Sequence, residues 1–175
     1  AAGGRALLVD RVPVEDASEG ALTAVADLAD TRTAEDAIRA LIDRAGGVDA
    51  VVTAAGTDRC GALADVPAAE WERVVAVNLF GTAAVIRAAL PALKQSRGKI
   101  VTVASTLGLR ALPDASAYCA SKFGVVGMTR ALATELAGQV GVTLLVPGGM
   151  ATAFFDGRPD QYKPGPDARL NDPAD

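Results

Sequence analysis

The chain has 175 residues, half of them hydrophobic but only 4% aromatic, and a formal net charge of −4. That length fits one domain with a core of its own, and the 17 basic residues form no cluster, which argues against nucleic acid or an anionic membrane as a partner. There is no histidine, so Ser-His-Asp and Cys-His catalysis and every His-ligated metal drop out.

In chain order, short apolar runs alternate with amphipathic ones. The first residues read as a helix end; Gly3-Gly4 punctuate, and Ala6 to Val9 form a strand that Asp10 and Arg11 close. Residues 12–20 read as a loop or a poor helix. Ala21 to Ala26 are a further apolar run, ending in Asp27-Leu28. Thr33-Ala34-Glu35-Asp36 has the form of a capping box. The helix behind it turns Ile38, Leu41 and Ile42 inward and stops at Gly46-Gly47. Val48 to Ala54 form the next strand, which leads into Thr53-Ala54-Ala55-Gly56. A long helix starts near Pro67 and carries Trp71, Val74, Val75, Asn78, Leu79 and Val85. Its most membrane-like run, Val74 to Leu93, holds Asn78, Arg87 and Pro91, and reads as a helix buried against another subunit rather than a membrane span. Ile100 to Ala104 are a strand, and Ser105 follows it. A helical pattern then begins with Tyr118 and Lys122 and runs on through Gly124 and Gly127. A final strand, Val142 to Val146, precedes P-G-G-M-A-T, and beyond Phe154-Phe155 the chain is polar and rich in Pro and Asp. The two cysteines, Cys60 and Cys119, read as reduced thiols of a cytoplasmic protein, and no secretory signal leads the chain.

The chemistry gathers in Ser105 to Lys122. Residues at i and i+4 share a helix face, so Tyr118 and Lys122 can point into one site, and the strand end can bring Ser105 to it. A free tyrosine has a pKa of about 10 and is a poor base near neutrality. A lysine ammonium close by is expected to lower that value. A hydroxyl tuned this way exchanges a proton with an alcohol or carbonyl oxygen, and Ser105 could hold that oxygen. The other half of such an interconversion is a hydride. No side chain carries one, so a nicotinamide cofactor is implied.

Serine after a strand, then Y-x-x-x-K on the next helix, closely resembles the active site of the short-chain dehydrogenase/reductases. The resemblance spans nearly the whole chain, and it implies an α/β fold: a doubly wound, Rossmann-like parallel sheet over residues 1–175, with 153–175 as a substrate lid and tail. In such a fold Asp10 accepts hydrogen bonds from the adenosine ribose and favours NAD, while Arg11 leaves NADP possible. Asp27 and Leu28 line the adenine pocket. Ala54, Ala55 and Gly56 let backbone approach the cofactor ribose, and Thr53 stands where the family usually has asparagine. W-E-R-V-V-A-V-N-L-F-G-T matches the family helix with its active-site asparagine, here Asn78. That amide either bonds to backbone or holds a water that relays protons from Lys122. Pro147, Gly148 and Thr152 match P-G-x-x-x-T, with Met150 backbone and the Thr152 hydroxyl holding the nicotinamide carboxamide. Phe154 and Phe155 either cover an apolar substrate or plug the core. The Asn78 and Tyr118 helices resemble the family's dimer interface, which implies a homodimer or homotetramer.

Two family segments find no match: the Gly-rich strand-turn-helix that binds pyrophosphate, and the strand and helix after the lid. The expected sheet is therefore incomplete at both ends, and the strands ending at Asp10 and Asp27 cannot pair with the one ending at Ala54. Residues omitted from the sequence, completion by a partner and replacement by another segment all remain open. The function implied is NAD(P)-dependent interconversion of a small-molecule secondary alcohol and ketone. The alternative is a catalytically silent, truncated subunit that acts through association.

Overall fold

The computed structural model describes residues 3–174; the helix end expected over the first residues falls on Ala1 and Ala2, outside them. Five short parallel strands carry the fold: β1 (Leu7–Asp10), β2 (Leu22–Val25), β3 (Ala50–Thr53), β4 (Lys99–Val103) and β5 (Gly141–Leu145). β1 pairs with β2, Leu7 opposite Leu22. β3, β4 and β5 form a second sheet in that order, with Ala50 opposite Lys99 and Lys99 opposite Gly141. β1 and β3 are not hydrogen-bonded to each other, as the sequence implied. The segment between β1 and β2 is a loop without a helix.

Four helices pack on these sheets: α1 (Thr31–Ala45), α2 (Ala68–Val75), α3 (Thr82–Ser96) and α4 (Ser116–Glu135). One core joins both sheets to them. Ile38 and Ile42 of α1, Ile86, Ala89 and Leu93 of α3, Ile100 of β4 and Leu136 are buried together, with Leu7, Val9, Val51 and Val142 against them. Strand side chains alternate between faces, so the neighbours of these residues point the other way. Val25, Val52 and Leu145 are 57%, 61% and 49% exposed, because no described helix covers that face.

The start of α1 differs from the capping-box reading. Its N-cap is Asp30, whose carboxylate accepts from the Thr33 N–H at 3.3 Å and the Thr33 hydroxyl at 2.7 Å. An Asp side chain satisfies the first-turn N–H groups as well as a threonine does, so the helix begins earlier and ends at Gly46 as expected, with that glycine left-handed at φ 82°.

The helix from Ala68 to Ser96 is continuous, and by length and apolarity it could cross a membrane. It instead packs through α3 on α1 and through α2 on α4. Between α2 and α3 it widens into a π-helical turn, Ala76–Gly81, a feature the hydrophobic pattern does not announce. Such turns concentrate at functional sites, and this one holds Asn78. A side chain at Gly81 would meet the Leu28 Cβ at 2.7 Å, so glycine there admits the loop after β2.

Candidate active site

β4 and α4 assemble the Ser-Tyr-Lys trio. Ser105 leaves β4 in extended backbone, and its Oγ accepts from the Leu107 N–H at 3.1 Å, opening a short 3-10 turn over Thr106–Gly108. Tyr118 and Lys122 stand one turn apart on α4. Lys122 is only 5% exposed. Its Nζ donates to the Val103 carbonyl at 2.9 Å and lies 5.6 Å from the centre of the Tyr118 ring.

The electrostatics correct one expectation. Burial pushes the Tyr118 hydroxyl up; the Ser105 side chain draws it down, Asp58 adds to the rise and Arg158 opposes it. The net direction is upward, so the phenol is held protonated rather than turned towards phenolate by Lys122. Removing the phenolate from water outweighs its neighbours. Burial also pulls Lys122 down to about 8.

Asn78 is fully buried. Its Oδ1 accepts from the Thr57 N–H at 2.8 Å, and its Nδ2 donates to the Thr57 carbonyl at 2.9 Å and the Ser121 hydroxyl at 3.0 Å. Both amide protons are used, so the side chain staples the loop after β3 to α4. Its backbone carbonyl accepts from the Thr82 hydroxyl at 2.7 Å.

The carboxyl ends of β1, β2 and β3 converge on a cleft of about 340 Å³. Its lining contains Asp10, Arg11, Asp27, Leu28, Ala54, Ala55 and Gly56, all seven residues expected at this end of a cofactor site. A Cβ on Gly56 would stand 3.5 Å from Asn78 Oδ1 and 3.8 Å from Lys122 Nζ, so the cleft adjoins the trio. Arg73 and Val77 line it too and were not foreseen. Arg73 reaches from α2 to pair with Asp27 at 3.0 Å. The Ala29 N–H holds Asp27 below the usual carboxylate range; burial opposes it, and Arg73 and Arg11 add to the lowering.

Pro147, Gly148, Met150 and Thr152 lie outside this cleft. The Pro147 carbonyl accepts from Thr106 N–H at 3.0 Å. Met150 pairs in a β-bridge with Asn171, and the Thr152 hydroxyl accepts from Phe154 N–H at 3.4 Å. Pro147, Met150 and Thr152 are thus engaged with the chain itself.

Phe154 leans on Tyr118, ring centres 5.8 Å apart, and Phe155 meets Phe154 edge-on at 5.6 Å. The segment expected to be a lid therefore places Phe154 against the Tyr118 ring. Arg158 sits 4.8 Å from both phenylalanine ring centres and pairs with Asp58 at 2.8 Å. No local pattern could have announced a pair 100 positions apart, and the sequence reading missed it. A Cβ on Gly124 would meet Leu79 of the same chain at 2.6 Å, so the close approach that glycine permits there is internal. Cys119 is buried and Cys60 half-buried, both as free thiols, and burial foremost raises Cys60 to about 11. Among the described residues no cluster of His, Cys, Asp or Glu could hold a metal.

Residues 8–163 match the family model described as short chain dehydrogenase. The chain is 37% identical to the D-beta-hydroxybutyrate dehydrogenase of Rhizobium meliloti over 142 residues, covering 79% of this chain and 55% of that protein. It is 32% identical to a 3-oxoacyl-(acyl-carrier-protein) reductase of Thermotoga maritima over 141 residues, 79% of this chain and 57% of the other. A crystal structure of a gluconate 5-dehydrogenase from Burkholderia cenocepacia, in complex with NADP and tartrate, superposes with a TM-score of 0.73 at 27% identity, covering 78% of this chain and 55% of that one. The chain thus spans little more than half the length of the curated relatives it matches.

Proposed function

The chain belongs to the short-chain dehydrogenase family, and on that premise we propose that it serves an NAD(P)-dependent oxidoreductase that interconverts a secondary alcohol and a ketone. One observation carries the reading: Tyr118 and Lys122 stand one turn apart on α4 with Ser105 beside them, next to a cleft bearing a carboxylate and small residues. The relatives named above support the same class of reaction.

The cleft suits the adenosine half of the cofactor. Asp10 offers a carboxylate to ribose hydroxyls, Asp27 and Leu28 wall the base, and Ala54-Ala55-Gly56 present little side-chain bulk. Asp10 biases the site towards NAD, and Arg11 keeps NADP within reach. No glycine-rich phosphate turn occurs among the described residues. A bound nicotinamide would supply or accept the hydride; this chain's residues handle oxygen and proton. Tyr118, held protonated by burial, donates to the carbonyl oxygen in reduction and recovers the proton in oxidation. Ser105 hydrogen-bonds the same oxygen. Lys122 places a cation beside the phenol and reaches the ribose. Asn78 keeps the Thr57 loop against α4 and supports proton exchange with solvent through Lys122. Pro147, Gly148, Met150 and Thr152 hold the carboxamide once the Met150 bridge to Asn171 opens. The substrate is a small molecule taken up under Phe154. We place the protein in the cytoplasm, as a homodimer or homotetramer through the Asn78 and Tyr118 helices, where Phe80 and Phe123 are 55% and 46% exposed.

A second reading, a subunit without turnover that acts by association, is favoured by the two unjoined sheets. One experiment separates the two: titration of the protein with NADH and NADPH, followed by a panel of ketones. Cofactor binding with ketone-dependent oxidation supports the dehydrogenase; no binding of either cofactor overturns it.

A further inference from the structure

Beside the reacting hydroxyl lies a charge pair that the dehydrogenase chemistry does not use. Asp58 follows the Gly56-Thr57 loop; Arg158 belongs to the lid. Their side chains are only 8% and 17% exposed, and Arg158 Nη2 meets Asp58 Oδ2 at 2.8 Å. Both charges act on the Tyr118 hydroxyl, Asp58 raising its pKa and Arg158 lowering it. Phe154 links the groups physically, touching the Tyr118 ring on one side and the Arg158 guanidinium on the other.

The partners of Arg158 leave donors over. A guanidinium has five N–H groups. Nη2 meets Asp58 as an ion pair, and Nη1 donates to the Tyr162 carbonyl only at 3.5 Å. The remaining donors, Nε–H among them, have no acceptor among the described residues. Asp58 is better supplied: its Oδ1 also accepts from the Arg59 N–H at 2.7 Å, and its Oδ2 from the Cys60 thiol at 3.2 Å. The arginine is therefore the under-bonded member of the pair. The Phe154 and Phe155 rings, set at 82° to each other, hold its guanidinium carbon 4.8 Å from both ring centres. A guanidinium held between aromatic rings with donors left over takes a carboxylate by paired hydrogen bonds, and prior positioning removes part of the ordering cost of binding.

We propose that Arg158 is a specificity-determining residue that selects hydroxy acids or keto acids, binding the substrate carboxylate while Tyr118 addresses the hydroxyl or carbonyl. Asp58 serves as its counter-ion when no substrate is bound. The proposal rests on Tyr118 being the acid/base group, and its test separates the two claims.

The probes are 3-hydroxybutyrate and 5-hydroxyhexanoate, each beside its own carboxamide, which keeps the shape and removes the charge. Affinity is measured by calorimetry with NADH present, and kcat and KM where turnover occurs. The expected wild-type result is that at least one acid binds about 30- to 100-fold more tightly than its amide, the scale of a charge-assisted bidentate contact. Arg158→Ala should remove that ratio mainly through the KM of the acid, Arg158→Lys should restore part of it, and Asp58→Asn should raise acid affinity. Acid selectivity without any turnover would keep Arg158 as the receptor and sink the dehydrogenase reading. Turnover with no preference for either acid over its amide would sink the receptor. Equal losses for acid and amide in Arg158→Ala would reduce the residue to a latch and overturn the proposal.

Discussion

The Lys122 ammonium donates to the Val103 carbonyl at 2.9 Å, and so ties the first turns of α4 to the end of β4. Ser105 lies two residues beyond that carbonyl. The bond therefore fixes the separation of the serine from Tyr118, and a lysine read for its charge also serves as a strut. Lys122→Met should lower kcat and also weaken the site's geometry. At pH above about 10.4, where the charge no longer penalises the fold, thermal unfolding should show a lower Tm for the variant, whereas a purely electrostatic role would leave Tm unmoved there.

The depressed pKa of Lys122 carries its own pH signature. Burial pulls it to about 8, below its value in the unfolded chain. Between those two values the unfolded state binds more protons, so this group makes stability rise with pH across that window. Below about 8 the buried ammonium imposes a constant penalty. In turnover, loss of the cation above about 8 should produce an alkaline limb in cofactor binding. The pH profile of NADH affinity should show that limb in the wild type and lose it in Lys122→Arg, whose side chain stays charged. A limb of the same position in both would assign it elsewhere.

Glu35 is 3% exposed and faces three arginines: Arg39 at 2.6 Å, Arg87 at 2.8 Å and Arg32 at 3.6 Å. Burial pushes its carboxyl up, but the Arg39 hydrogen bond and the charges of Arg87, Arg39 and Arg32 together take it below the usual range. A depressed carboxylate contributes stability that is present above its unfolded pKa and is lost as pH falls through the folded value. Tm measured against pH should fall on the acid side, and Glu35→Gln should flatten that fall. Parallel curves would remove Glu35 from the account.

Asp10 is one of two carboxylates lining the cleft proposed for the cofactor, and its Oδ1 accepts from the Val12 N–H at 3.2 Å. Asp10→Ala should narrow the preference for NAD over NADP by roughly tenfold, the scale of one charge-assisted hydrogen bond. Competitive binding of the two cofactors checks it, and unchanged affinity for both would show that Asp10 faces solvent only.

The residues legible in the sequence share a property: each sits in a local pattern. Tyr118 and Lys122 follow helical spacing, Ser105 ends an apolar strand, and Asp10, Asp27 and Gly56 each close a strand run. The strands and the stop at Gly46 were legible for the same reason. What escaped depends on partners far along the chain. Arg73 turns towards Asp27 across 46 positions, and Arg158 meets Asp58 from the far end of the chain. The π-helical turn at Asn78 leaves the apolar pattern of its helix intact, so periodicity reads straight through it. The direction of the Tyr118 shift escaped for another reason: spacing shows that a lysine is near, but only three-dimensional burial decides whether its charge prevails.

The most direct test sets NADH affinity beside ketone turnover in Tyr118→Phe. The substitution removes the hydroxyl and keeps the ring that packs on Phe154. The account predicts turnover lower by about 10²–10⁴-fold with affinity nearly unchanged. Equal loss of both would make the tyrosine structural, and turnover retained at the wild-type level would contradict its role as acid and base.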